Sequence, residues 1–369
     1  MLGAIGFLTT LTLILLLIPQ AQRLGLIDRP DKRKTHARPT PAIGGLAIAL
    51  GCLPVAMFAF PTDRALLALV AASVLLIAEG IVDDIVDLRW IYRLCAHATA
   101  ALILVYYGGV RVDYIGAAFG IWNYHQLGSL SMPFTVIATT GLINALNMID
   151  GIDGLAGSLT MVTLAMLGCA GLYDGNTEVA TFMLLCMGGV AAFLVFNLRT
   201  PWNPRGRTFL GNSGSEFLGL VIAWTCFHLT QPHLRPMPPV LAPFLFAVPV
   251  IDCLTLMVRR IAQRQSPFAA DRNHLHHLLA DAGFSTTGVI LVILAVSLAI
   301  GLAASVALLM HPFEPVFIGV FVLMLGAYYA LTADRTRAVR VFGMLARVGG
   351  GPSARLAAKA GERSPQAAE

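Results

Sequence analysis

The chain has 369 residues, of which 57% are hydrophobic and 12% charged, with a mean hydropathy of +0.76. A soluble domain carries about 25% charged residues, so composition excludes a water-soluble globular fold, and the apolar excess equally excludes a disordered chain. The formal net charge of +5 is small, and its distribution along the chain says more than its size.

Apolar runs that approach the roughly 20 residues needed to span a bilayer recur throughout. In chain order they cover 2–18, 42–60, 65–82, 94–107, 133–148, 155–172, 179–196, 214–229, 240–258, 288–309 and 313–331. They predict an all-α polytopic integral membrane protein with about eleven transmembrane helices, because backbone groups in lipid must be satisfied within each segment. The apolar–polar alternation of a transmembrane barrel is missing from these runs. The first run has no Lys or Arg before it, and positive charge begins at Arg23. That order is opposite to a cleaved signal peptide and places the N-terminus outside and the C-terminus in the cytoplasm. With that orientation, 22 of the 25 Lys and Arg fall in cytoplasmic loops or the tail, and Arg64, Arg111 and Arg235 fall outside, as the positive-inside rule requires. A membrane domain is expected over 1–335, followed by a basic, disordered cytoplasmic tail over 336–369, rich in Gly, Ala, Ser and charge from Gly349 onward. The six cysteines lie in or beside apolar runs without a C-x-x-C pair, which argues against disulfides and metal ligation.

Polar residues are costly in a membrane and therefore informative. They gather at the cytoplasmic ends of the runs, in five groups. The first is Asp83-Asp84-Ile-Val-Asp87. On a continuing helix Asp83 and Asp87 share a face, and three crowded carboxylates call for a hard cation such as magnesium, commonly held by carboxylates together with substrate phosphate. The second is Asn144, Asn147, Asp150 and Asp153 at three-residue spacing, each Asp followed by Gly. On a helix these four make one polar stripe, and the glycines allow close backbone approach to a ligand. The third is the loop from Asp28 to Gly45, basic at Arg29, Lys32, Arg33, Lys34, His36 and Arg38. Its charge reads as a topology and anionic-lipid signal, with Arg38 the candidate for phosphate. The fourth is Phe209-Leu-Gly211-Asn212-Ser-Gly214-Ser215 at a helix start, where backbone N–H groups can meet an anion. The fifth is Asp271-Arg-Asn-His274-Leu-His276-His277. Zinc is one reading of clustered histidines. Without a nearby Cys, and with His276 adjacent to His277, phosphate contact is the better one.

In this order the five groups resemble the polyprenyl-phosphate N-acetylhexosamine-1-phosphate transferase family, over a stretch from Asp28 to about Phe284. Asp-Asp-x-x-Asp together with Asn-x-x-Asn-x-x-Asp-Gly-x-Asp-Gly is specific, and Val221–Trp224, Ser266–Phe268 and the histidine run look like the GlcNAc-1-phosphate branch. The resemblance implies transfer of a sugar-1-phosphate, GlcNAc-1-phosphate first, from a UDP-sugar to undecaprenyl phosphate, releasing UMP and initiating a cell-surface glycan such as an O-antigen or common antigen. It implies Mg2+, with Mn2+ as an alternative, and a multi-pass protein of the bacterial inner membrane with its site on the cytoplasmic face. Asp83, Asp84, Asp150 and Asp153 are the implied catalytic residues. Asp83, Asp84 and Asn212 are the implied metal ligands. Arg38, Asn147, Phe209, Arg260, Asp271, His274, His276 and His277 are implied in substrate binding, Phe209 by stacking on uracil. Asn212 stands where the family usually has Asp. The alternatives are the same reaction with another UDP-N-acetylhexosamine and, in a different class, a non-catalytic or transporter-type membrane protein. The expected partners are the two substrates and the bilayer, with no nucleic acid; a homodimer is left open.

Overall fold

The computed structural model describes residues 1–28, 39–118, 126–231, 237–269, 271–310 and 313–348. Helices dominate: α1 (Leu2–Leu17), α2 (Gly44–Ala59), α3 (Arg64–Val86), α4 (Trp90–Tyr106), α5 (Ser131–Ile149), α6 (Leu155–Asp174) and α7 (Thr177–Asn197). After them come α8 (Asn212–Thr230), α9 (Ala242–Leu245), α10 (Ala247–Ala262), α11 (Leu275–Asp281), α12 (Thr286–Leu309), α13 (Glu314–Thr332) and α14 (Arg335–Val348). A short antiparallel ribbon, β1 (Ile27–Asp28) with β2 (Thr40–Pro41), pairs Ile27 with Pro41 and Asp28 with Thr40. The ribbon is a small exception to the all-α expectation.

Among the described residues, seven helices are long and apolar enough to cross a membrane, or eight if the bent pair α9–α10 is one span. The chain is a multi-pass membrane protein. Helices α2 and α4 are apolar but shorter. Helix α8 is diluted by Asn212, Ser213, Ser215 and Glu216, yet it is buried almost all round from Ser213 to Phe227. A helix enclosed by others does not need a lipid-compatible surface, so α8 forms the centre, packed by α3, α5 and α2. Its entry is fixed by close approach: a Cβ at Gly80 of α3 would stand 2.4 Å from Ser213 Cα. The absence of a side chain there brings the polar ends of α3 and α8 together.

Three sequence expectations change. The run 240–258 is broken at Phe246, with an 86° bend between its halves. Pro249 has no N–H for the Leu245 carbonyl, and the Thr163 hydroxyl donates to that carbonyl instead (3.3 Å). Helix α3 does not continue through Asp87: it ends at Val86, and Asp87 turns into the left-handed region at φ 53°. The tail is helical where it was expected to be disordered, over Arg335–Val348. Apolar Ala338 and Phe342 recur one turn apart on this basic segment, and both are buried as α14 packs on α11 and α13. All six cysteines are free thiols.

Candidate active site

The Asp83 carboxylate caps the end of its own helix, accepting from Leu88 N at 2.7 Å. It is buried, and the Asn212 Nδ2 donates to its Oδ2 at 2.8 Å while Arg93 stands 3.5 Å away. Asp84 accepts from Asn212 N (3.1 Å), one of the N–H groups that the start of α8 leaves without an intrahelical partner. Asn212 Oδ1 accepts from Asn147 Nδ2 at 2.9 Å, and Asn147 Oδ1 accepts from Arg93 at 2.7 Å. Asp83, Asn212, Asn147 and Arg93 thus close one polar ring across α3, α4, α5 and α8. Asn212 uses its amide on both sides, as donor to Asp83 and acceptor from Asn147. A carboxylate at 212 would set oxygen against oxygen at Asp83, which a proton or a cation would have to bridge.

The polar stripe expected over Asn144, Asn147, Asp150 and Asp153 is only half realised. Helix α5 stops at Ile149, so Asp150 and Asp153 lie in the following turn. Asn144 lines the smaller of the site's two cavities but turns its amide to His97 and takes no part in the polar ring. Asp153 pairs with Arg199 (2.8 Å) and accepts from Gly206 N (3.2 Å), while Gly154 N donates to Asn197 Oδ1 (2.7 Å). These bonds lash the turn to the segment after α7. Burial, then the charges of Asp153 and Asp84, push the Asp150 carboxyl up to about 7. The glycine after Asp150 serves a different purpose from the one expected. It makes room for a histidine: a Cβ on Gly151 would lie 2.2 Å from His276 Nε2.

The histidine segment is held from α10 and α13. Asp252 of α10 is buried and accepts from His274 Nδ1 (2.7 Å), Leu275 N (3.1 Å) and the Tyr328 hydroxyl (2.5 Å). Buried Arg260 grips Asp271 Oδ2 through Nε and NH2, both at 3.0 Å, and donates to the Pro267 carbonyl. Although burial opposes it, the Asn273 amide and Arg260 hold Asp271 below its ordinary range. Burial, then His277 and His274, bring His276 down to about 3. Burial and the Arg272 charge also lower His277. Both are therefore neutral hydrogen-bonding groups near pH 7. Among the described residues, the three histidines form no three-ligand metal set. Arg335 of α14 bonds the Arg272 carbonyl, Asn273 Oδ1 and Asp281. We expect Arg335→Ala to raise amide hydrogen exchange across 272–281 by at least about tenfold, since local opening follows lost contacts. Unchanged exchange would remove α14 as the brace of this segment.

Two cavities adjoin here, sharing Gly151 and His277 in their walls. The larger, about 610 Å³, is lined by Asp83, Asp84, Asp87, Asp150, Asp153 and Asn212, with Phe209 and Arg199. The smaller, about 280 Å³, is lined by Arg93, Asn147, Arg260, Asp271, His274 and His276. Every candidate among the described residues therefore lines one cavity or the other. Arg38 lies outside the described residues. The ends of its loop are placed, for Asp28 and Ala42 line the larger cavity, and Phe209 N and the Thr208 hydroxyl donate to the Pro41 carbonyl.

Sequence reasoning missed the groups that hold this arrangement. Arg93 and Arg199 read only as topology charges, and Asn197, Asp252 and Tyr328 were not singled out. Each sits within or beside an apolar run, so the available signal was a lone polar residue at a span end.

The fold and site define a polytopic membrane protein with its polar chemistry gathered in one acid- and imidazole-lined pair of cavities at the helix ends. Residues 66–230 match the family model of glycosyl transferase family 4. The undecaprenyl-phosphate alpha-N-acetylglucosaminyl 1-phosphate transferase of Haemophilus influenzae is 32% identical over 332 residues, 89% of this chain and 92% of that protein. The protein of the same name from Escherichia coli K12 is 31% identical over 331 residues, 89% of this chain and 88% of its own length. That from Pasteurella multocida is 31% identical over 289 residues, 78% and 81% respectively. The chain belongs to glycosyl transferase family 4.

Proposed function

We propose that this protein transfers GlcNAc-1-phosphate from UDP-GlcNAc to undecaprenyl phosphate, giving undecaprenyl-diphosphate-GlcNAc and UMP. The observation that carries this reading is the likeness along nearly the whole chain to relatives of that name, joined to a cavity in which Asp83, Asp84, Asp150 and Asp153 meet. In the reaction an oxygen of the lipid phosphate bonds to the β-phosphorus of the donor, and the bond from that phosphorus to the UMP oxygen breaks. The proposed orientation has eleven spans, with both cavities on the cytoplasmic face. It is supported by the clustering of Arg199, Arg260, Arg272 and Arg335 beside the cavities. The resulting product is of the kind that begins a surface glycan.

In this reading Asp83 and Asp84, at the end of α3, face the lipid phosphate, and Asp84 accepts its proton when the phosphate enters as the monoanion. Phe209 offers a wall for the uracil. The neutral imidazoles of His276 and His277 donate N–H groups to diphosphate or sugar oxygens without adding charge. Arg260 acts at one remove, by fixing Asp271 and the turn before His274.

The residues present fit a hard divalent cation. Asp83, Asp84, Asp150 and Asp153 line one cavity, where burial first, and then the charges of Asp153 and Asp84, raise Asp150 to about 7, and a cation among them would relieve that repulsion. Asp83, Asp84 and the Asn212 amide would hold magnesium, or manganese in its place; its chemistry there would be neutralisation of the diphosphate charge. Asp150 is neutral below its raised value and anionic above it, so the negative charge it adds to the cavity beside the metal ligands is lost on the acid side. The magnesium concentration for half-maximal rate should fall by up to about tenfold per pH unit between pH 5.5 and 7, then level off. Asp150→Asn should flatten that dependence, and a parent profile that is already flat would take Asp150 out of the site.

The test of the reading as a whole is UMP release by detergent-purified protein given undecaprenyl phosphate, UDP-GlcNAc and magnesium, with the extracted lipid weighed by mass spectrometry. Metal-dependent appearance of lipid-diphosphate-GlcNAc is the expected result. Product only with another UDP-N-acetylhexosamine would reassign the donor. No product with any donor would overturn the enzyme reading.

A further inference from the structure

One helical turn deeper than Asp83, Arg93 and Asn212, on the same three helices, stand Glu79 of α3, His97 of α4 and Glu216 of α8. A carboxylate oxygen of each glutamate and an imidazole nitrogen all lie within 4.8 Å of one another. Glu216 is 0% exposed and His97 1%. His97 Nε2 stands 3.3 Å from Glu216 Oε1, and Arg93 Nε stands 3.6 Å from the same oxygen. Neither oxygen of Glu216 or Glu79 has a hydrogen-bond donor, and His97 Nε2 has no hydrogen-bond partner.

Buried carboxylates that face each other without a donor between them need a positive charge or a proton. The arginine of this layer, Arg93, is shared with Asp83. That guanidinium is divided between two layers and makes no hydrogen bond to Glu216, whereas one divalent cation would meet an oxygen of each glutamate and His97 Nε2 at once. We propose that Glu79, His97 and Glu216 form a second divalent-cation site, of the nitrogen-plus-two-carboxylate kind that suits manganese, iron or zinc better than magnesium. Bound there, a cation ties α3, α4 and α8 together beneath the reaction cavity and holds Arg93 toward Asp83 and Asn147. Ligation through Nε2 leaves the imidazole proton on Nδ1, 3.2 Å from the Asn144 amide. The Asn144 oxygen accepts that proton once the amide turns over, giving up its 2.8 Å bond to the Thr140 carbonyl.

The inference stands apart from the proposed reaction, since its readout is the ion itself. Detergent-purified full-length protein is stripped with a chelator, loaded with Mn2+ and examined by pulsed electron paramagnetic resonance for nitrogen coupling from a directly bound imidazole. The expected result is one such manganese per chain, lost in His97→Gln and bound at least tenfold more weakly in Glu216→Gln, with thermal unfolding showing that both variants fold. A site made only of Asp83, Asp84 and Asn212 gives no imidazole coupling, so the two sites are told apart in one spectrum. Absence of that coupling in the parent protein, or its persistence in His97→Gln, overturns the proposal and leaves a proton shared between Glu79 and Glu216.

Discussion

Asp84→Asn should lower UMP release by about three orders of magnitude, roughly 4 kcal/mol of transition-state stabilisation, while Asp87→Asn should cost less than about tenfold. The sequence places these two in one triplet, and the structure separates them. Asp84 caps the start of α8 by accepting from Asn212 N and faces the acidic cavity. The amide oxygen introduced by Asp84→Asn still accepts that bond, so the fold survives and only the charge and the proton acceptor go. Asp87 lies beyond the helix, exposed and left-handed, a conformation that Asn adopts as readily as Asp. Equal losses in the two variants would mean that the triplet acts as a unit. An active Asp84→Asn enzyme would move the reacting lipid phosphate to Asp83 or Asp150.

The membrane character and the five polar groups were legible because both are strong local signals. An apolar run has one physical explanation at this length, and a carboxylate at its end is rare enough to notice. What was not legible has a common cause: it depends on which helices touch. The Glu79–His97–Glu216 layer is three single residues in three apolar runs 137 positions apart from first to last, and no spacing rule connects them. Asp252 reads as a lone acid within a span, and its meaning appears only when His274 and Tyr328 arrive from α11's approach and α13. Helix ends were also misjudged, at Asp87 and at Ile149, because a polar residue at helical spacing predicts continuation equally well whether or not the chain turns there. The basic tail segment misled in the opposite direction. Its charge reads as solvated chain, while two apolar positions one turn apart are enough to dock it once a partner surface exists.

Asn212 gains a different meaning from this geometry. Measured against the family pattern alone, it is a missing charge. In the structure it is a bifunctional link that satisfies Asp83 and Asn147 together, and the carboxylate that its helix lacks at 212 appears one turn deeper as Glu216. Arg93 connects that carboxylate back to Asp83. Asn212 by itself is weak grounds for an inactive homologue.

The second large effect expected is from Gly151→Ala. The added carbon would lie 2.2 Å from His276 Nε2 and 2.9 Å from its Cε1, far inside contact distance. His276 is 1% exposed and packed between the rings of His274 and His277, so it cannot swing aside, and the whole histidine segment must move. A displacement of about 1 Å at a positioned group costs on the order of 100-fold in rate, and kcat/KM for the donor should fall by at least that much. Gly141→Ala is the matched control on α5: no atom lies within 4 Å of its new Cβ, so activity should hold while the helix gains about 1 kcal/mol of propensity. Combining Gly151→Ala with His276→Ala removes the clash and the imidazole together. Thermal stability should then return toward that of the parent while turnover stays low, because the packing is restored and the hydrogen-bonding group is not. Recovery of turnover in that double variant would show that His276 serves only to fill space and that the sugar and phosphate contacts belong to His274 and His277.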